Sequence, residues 1–151
     1  MSVSPTRRDA LTALAGALIA CRLGPARAAP PVLGFGDLYK SFGVTGLTFS
    51  DAVQALKGQS VQMTGFMAPP LKAEAKFFVL SEIPLSICPF CSSDADWPDD
   101  IVVVYLQKKQ TFVQYNAGIR VTGILDVGPW IDPETGFVSQ LRLRDAAFDR
   151  A

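Results

Sequence analysis

The chain has 151 residues, 14 Lys+Arg against 14 Asp+Glu, 49% hydrophobic residues and no histidine. That length builds one domain with a modest core, and the balanced charge lacks the basic excess that neutralises phosphates, so a nucleic-acid partner is excluded. Without histidine, the commonest general base and the commonest transition-metal ligand are both missing, and Ser81, Ser86, Ser92 and Ser93 have no imidazole to activate them.

Arg7 and Arg8, followed by Asp9, precede "ALTALAGALIA" (Ala10 to Ala20), a run with no charged residue. The run falls well short of the ~20 residues that span a bilayer, but it suits the apolar region of a signal peptide. The adjacent arginines match a twin-arginine export signal. Two endings compete. Ala26-Arg27-Ala28 is a small-x-small cleavage site that predicts a soluble exported chain from Ala29, whereas Leu18-Ile19-Ala20-Cys21 resembles a lipobox that would put lipid on Cys21. The soluble ending is favoured because the apolar run continues past Cys21 toward Gly24; either one predicts a periplasmic or envelope-anchored protein. Loss of residues 1–28 removes four bases (Arg7, Arg8, Arg22, Arg27) and one acid (Asp9), so 14 against 14 becomes 10 bases against 13 acids. No later segment is apolar enough to predict a membrane span.

Residues 29–48 form a Pro/Gly-rich lead, expected to be extended with a short helical turn over Asp37 to Ser41. "GFG" at Gly34 to Gly36 follows no strand and lacks the lysine of a phosphate loop. A helix is predicted over Asp51 to Lys57: Ser50 is its N-cap, Asp51 favours the positive end of the dipole, Gly58 takes the left-handed position after it, and Ala52, Val53 and Leu56 make one apolar stripe.

Five strands follow, over 60–68, 76–81, 101–106, 119–127 and 137–145, each rich in β-branched or aromatic residues and bounded by turn residues. In the last, Phe137, Ser139, Leu141 and Leu143 face opposite to Val138, Gln140, Arg142 and Arg144. Gly65 and Gly123 inside strands predict a sheet bent sharply enough to close. The fold class expected is therefore all-β with one short helix, with residues 49–151 forming a small five-stranded OB-like Greek-key barrel; an open β-sandwich is the alternative. "DVGPWIDPETGF" is expected as a long hairpin loop turning at Pro133 to Gly136.

"VQMTGFMAPPLKAEAKFFVLSEIPLSICPFC" (Val61 to Cys91) and "WPDDIVVVYL" (Trp97 to Leu106) resemble small exported bacterial proteins of the domain-of-unknown-function family 3299. The shared pattern is a strand ending in Gly-Tyr/Phe-Met-x-Pro, a second strand ending near a conspicuous cysteine, and a valine-rich third, over about half of the exported chain. The resemblance implies a part in metal handling beside zinc-responsive ABC transport systems. One departure bears on the ligands: that family carries a single cysteine followed by histidine and prolines, where this chain has Cys88-Pro89-Phe90-Cys91-Ser92.

The C-P-F-C stretch has three readings. Two thiolates at this spacing can grip one ion. Two carboxylates, Asp94 and Asp96 first among Asp94, Asp96, Asp99 and Asp100, would complete a zinc set, or the sulfurs would suffice for Cu(I), with Met63, Met67 or Trp97 as further ligands or contacts. Alternatively, an oxidising compartment joins Cys88 to Cys91 as a structural disulfide in an envelope interaction module, worth about 2 kcal/mol or less for so short a loop. The third reading is a thiol-disulfide oxidoreductase, against which stands the absence of a strand-helix-strand rhythm after the motif. Twin-arginine passengers fold before export, which favours a metal loaded in the reducing cytoplasm. Asp94, Asp96, Asp99 and Asp100 lack the roughly twelve-residue register of a calcium loop and are expected to be solvated. Trp97 and Trp130 are expected in loops, as lids on a barrel end or as ligand contacts. The function expected is thus a non-enzymatic exported metal-handling accessory holding one Zn or Cu ion, partnered by an envelope ABC transporter or another metal-transport component.

Overall fold

The computed structural model describes residues 28–43, 46–69, 76–86 and 97–151, the side chains of 41–43 excepted. The chain is mostly β, with a 3-10 turn at Phe35–Asp37 and, among the described residues, one α-helix, α1 (Asp51–Leu56). The strands are β1 (Tyr39–Gly43), β2 (Gly46–Phe49), β3 (Ser60–Met67), β4 (Phe77–Ser81), β5 (Ile101–Leu106), β6 (Gly118–Ile131) and β7 (Val138–Arg150).

The helix forms where its caps demand. Ser50 Oγ accepts from the Val53 N–H at 3.1 Å and donates to the Asp37 carbonyl at 2.5 Å, which ties the helix start to the lead. Gly58 takes φ +77°, an angle that strains any residue with a Cβ, and its N–H bonds the Leu125 carbonyl at 2.8 Å. Val53, fully buried, packs the helix on the core.

Five strands pair in the order β3-β4-β5-β7-β6 and close on themselves through β3 and β6. This closure rules out the open β-sandwich. All the pairs are antiparallel except β5 with β7. Alternation puts Val61, Met63, Gly65 and Met67 of β3 inside, with Ile119, Val121, Gly123, Leu125 and Val127 of β6. On β7, Ser139, Leu141 and Leu143 point inward as expected. Asp145 then adopts φ +49° beside a register shift, after which Ala146 and Phe148 are the buried residues. A bulge thus flips the strand's parity and carries it to Arg150, beyond the expected end at 145.

Gly65 and Gly123 mark close approaches. A Cβ on Gly65 would lie 2.5 Å from the Ser81 carbonyl oxygen, and one on Gly123 would lie 2.9 Å from the Ala146 Cβ. Tight curvature at these points is what lets so few strands close.

Three expectations need correction. The lead is not simply extended: its turn falls at Phe35–Asp37 rather than 37–41, and β1 and β2 form a hairpin with Tyr39 paired to Phe49 and their rings 5.3 Å apart. Upstream, Val32 bridges Gln62 in parallel, covering part of the β3 edge that β4 leaves open. Trp130 lies on β6 and not in a loop, because a bulge at Gly128 (φ +118°) re-aims the strand and lets pairing continue to Ile131. The turn therefore shrinks to residues 132–137.

Two apolar layers result. The barrel interior holds Met63, Met67, Phe78, Leu80, Val102, Val104, Leu141 and Leu143 among others. Outside β4 and β5, a second cluster of Phe77, Val79, Trp97, Ile101 and Val103 is roofed by Tyr39, Leu47, Leu85 and Phe137. Both faces of β4 and β5 are consequently apolar, as the unbroken run Phe77-Phe78-Val79-Leu80 requires.

Candidate functional site

Cys88, Cys91, Asp94 and Asp96 lie outside the described residues, as do Arg7, Arg8 and Cys21; Ala28 is exposed. What the structure does describe is the frame of the cysteine segment. It leaves β4 at Ser81, whose hydroxyl donates to the Ile83 carbonyl at 2.7 Å, and the Glu82 N–H bonds the Asp100 carbonyl at 3.0 Å across the gap. Leu85 on one side and Trp97 on the other both pack in the outer cluster. Trp97 is buried, and its indole N–H donates to the Tyr39 hydroxyl at 3.0 Å. Burial pushes the Tyr39 phenol up to about 12, against the Trp97 bond and helped by the charge of Asp99. Among the described residues no cluster of three or more His, Cys, Asp or Glu could hold a metal.

Met63 and Met67 are fully buried in the barrel interior, whereas Trp97 sits in the outer cluster, so these three are not brought together. The two thioethers fill core volume.

From Trp97 a row of rings crosses the outer face. Trp97 to Phe137 is 6.4 Å between centroids, Phe137 to Phe77 5.5 Å, Phe77 to Tyr105 5.2 Å and Tyr105 to Trp130 5.3 Å. The row ends at two arginines: Arg144 lies 4.7 Å over the Trp130 ring and Arg142 lies 5.6 Å from it.

Arg142 is buried to 2% exposure, and its satisfaction is complete. Its guanidinium reaches Asp126 Oδ2 at 3.1 Å, the carbonyls of Gly128 and Ser139 at 2.8 Å each, and the Ser139 hydroxyl at 3.0 Å. Arg144 Nε holds the same Asp126 oxygen at 2.5 Å. Burial alone would raise the Asp126 carboxyl, but the hydrogen bonds and charges of Arg144 and Arg142 outweigh it and hold the group below the usual carboxylate range.

Beside this network a cleft of about 110 Å³ opens between the start of β4 and the β6–β7 turn. Phe77, Tyr105 and Trp130 supply its aromatic lining, with Lys76, Asp132 and Glu134 as its charged groups. Asp132 shapes the turn: Oδ1 accepts from the N–H groups of Glu134 and Thr135 and from the Thr135 hydroxyl, while Oδ2 accepts from the Tyr105 hydroxyl at 3.0 Å. Burial raises Asp132, yet the bonds from Thr135, Tyr105 and Glu134 prevail and its carboxyl falls below the usual range. Tyr105 is raised, by burial first and by its bond to Asp132 second. Lys76 Nζ meets Glu134 Oε1 at 2.5 Å at the mouth.

The sequence singled out neither Arg142 nor Tyr105 nor Asp132. Alternation placed Arg142 only on the face opposite Leu141 and Leu143, and the rings of other elements are what make that face dry. Asp132 at the head of "DPET" carried the one local signal, that of an Asx-type turn.

No family model matches the chain, and no curated protein matches it. Among solved structures the fold is similar to a DUF3299 family protein from Pseudomonas aeruginosa PAO1, with a TM-score of 0.52 and 15% identity over 82% of this chain and 97% of that one. At that identity the likeness is one of fold. The neighbour carries the family name that the Val61-to-Cys91 and Trp97-to-Leu106 stretches suggested from sequence.

Proposed function

We propose that this chain is an exported, non-enzymatic metal-handling protein of the cell envelope. Cys88 and Cys91 hold one soft ion, zinc or Cu(I), with the carboxylates of Asp94 and Asp96 completing a zinc set. The scaffold is an OB-like Greek-key barrel, a reading supported by the β3-β4-β5-β7-β6 ring and its parallel β5–β7 pair. Barrels of that type bind oligonucleotides on the outer face of their second and third strands. Here those strands are β4 and β5, and their outer face is already covered by Tyr39, Leu47, Trp97 and Phe137. Stacking platforms for bases are therefore spent internally, in keeping with the missing basic excess.

The observation that carries the metal reading is the framing of residues 87–96. Both flanks, Leu85 and Trp97, are anchored in one cluster, and the Glu82–Asp100 backbone bond closes the base. Flanks held together in this way lower the loop-closure entropy that bringing two thiolates to one ion costs. The resemblance to family 3299 supplies the partner class, an envelope ABC transporter or a similar metal-transport component.

Native mass spectrometry tests the proposal on the exported chain, purified under reducing conditions with zinc or Cu(I) present. One bound ion is expected, lost in the Cys88→Ser/Cys91→Ser double variant. An ion-free chain that is lighter by two hydrogens when prepared without reductant would instead indicate a structural disulfide and overturn the proposal, as would an ion retained by the double variant.

A further inference from the structure

The described residues that line the cleft beside β4 all lie outside the cysteine segment, and their properties point to a ligand of a different kind. Size sets the first limit. At about 110 Å³ it has roughly a third of the ~300 Å³ at which small-molecule pockets begin, so it accommodates one side chain rather than a whole metabolite.

Charge sets the second limit. The lining carries the carboxylates of Asp132 and Glu134 against the single ammonium of Lys76. Asp132 is committed, with Oδ1 serving the turn and Oδ2 serving Tyr105. Glu134 is bonded through its side chain to Lys76, and both partners are open to solvent, at 58% and 74% exposure. An exposed pair of this kind is weakly held and exchanges readily for a better donor.

The chain itself shows which donor suits the rings. Arg144 lies 4.7 Å over Trp130 and 5.8 Å from Tyr105, so guanidinium already stacks on this aromatic pair. Arginine also forks onto a carboxylate with two parallel bonds, where lysine presents a point charge.

We propose that the cleft docks one arginine side chain from a partner protein, its guanidinium replacing Lys76 on Glu134 and resting against the Tyr105 and Trp130 rings. The groups that make the contact, Glu134, Tyr105 and Trp130, are all outside the cysteine segment in the chain, and the proposal invokes no ion. Glu134 selects a cation, the rings select a planar one, and the small volume admits a single residue, so affinity for an isolated side chain is weak and a partner would add contacts outside the cleft.

The test uses N-acetylarginine methylamide as probe, titrated into the ¹⁵N-labelled exported chain while the indole N–H resonances of Trp97 and Trp130 are followed. A saturable shift of Trp130 with Trp97 unmoved is expected. Glu134→Gln should weaken binding roughly fivefold, in line with loss of one exposed charge-assisted contact. Lys76→Ala should tighten binding, because the internal competitor is gone, and N-acetyllysine methylamide should bind less well than the arginine probe. The proposal is overturned if Trp130 does not shift saturably, if Glu134→Gln leaves the curve unchanged, or if Lys76→Ala weakens binding. Both substitutions are at exposed positions outside the core, so a folded variant is expected in each case.

Discussion

Gly65→Ala tests the closure of the barrel. The added Cβ would stand 2.5 Å from the Ser81 carbonyl oxygen, 3.1 Å from Phe35 Cε2 and 3.2 Å from Leu80 Cδ1. A carbon and a carbonyl oxygen rest at about 3.3 Å or more, so roughly 0.8 Å must be found by moving backbone, the stiffest of the three neighbours. The strand that must move is β4, which is joined to β3 by only two register pairs, Phe66 with Ser81 and Met67 with Leu80. Overpacking of this kind costs about 1–3 kcal/mol, and loosening a ladder bond adds about 1 kcal/mol, for a total near 3 kcal/mol. At about 4 °C per kcal/mol for a domain of this size, thermal unfolding should shift down by about 12 °C. Gly65 does not have positive φ, so the effect is steric and not conformational. Gly36→Ala is the control: nothing lies within 4 Å of its added Cβ, and its stability should change by less than about 0.5 kcal/mol. If calorimetry finds the two variants within about 0.5 kcal/mol of each other, the closure argument is wrong.

Tyr39→Phe should leave the buried Trp97 indole N–H without its acceptor and destabilise the chain by about 1–2 kcal/mol in urea unfolding. Combining it with Trp97→Phe should cost less than the two separate changes added together, since each removes the same hydrogen bond. Tyr105→Phe deletes the hydroxyl that donates to Asp132, and a loss of about 1 kcal/mol is expected, with hydrogen exchange rising at the Glu134 and Thr135 amides that Asp132 holds. Asp126 and Asp132 both sit below the usual carboxylate range when folded, so the unfolded chain binds more protons in acid. Their contribution is therefore fully present above the unfolded value of about 3.9 and is lost as pH falls through the folded values. The urea midpoint should hold from pH 7 to about 5 and drop below about 4; a midpoint flat to pH 3 would contradict the assignment.

Much of the barrel was legible because single faces are dry. In β3 and β6 the interior residues alternate with wetter ones, and in α1 the Ser50 cap and Gly58 announce both ends. Legibility failed where two faces are buried or where a bulge resets the count. Phe77 to Leu80 shows no alternation because the lead's own hairpin covers the outside of β4, and nothing local to "LYKSFGVTGLTF" says that it will travel there. Gly128 and Asp145 each take a positive φ that re-registers a strand; glycine permits such a bulge without requiring it, and nothing around Asp145 marks one. The cleft was invisible for a related reason. Its members come from the start of β4, the end of β5, the extended part of β6 and the turn after it, so no spacing along the chain brings them into one window. The cysteine pair, by contrast, is local, which is why sequence found it at once.

The β4–β5 ladder links the two proposed sites. Ser81 pairs with Ile101 where the cysteine segment departs, and Phe77 pairs with Tyr105 at the cleft. Those rungs are four residues apart, about 13 Å at the rise of a strand. Between them the outer face carries packed rings, Trp97 on Phe137 on Phe77, and the inner face carries Phe78 and Leu80 in the core. Neither end can shift far without opening a void in one layer or the other, because interiors this dense have few arrangements of comparable energy. The ladder therefore acts as a spacer and not as a hinge. A partner arginine in the cleft would sit at that fixed offset from the Ser81–Ile101 rung. The covered face is the reason this works: had Tyr39, Leu47 and Trp97 not sealed β4 and β5, the same strands would offer an open platform, and a ligand could lie anywhere along them.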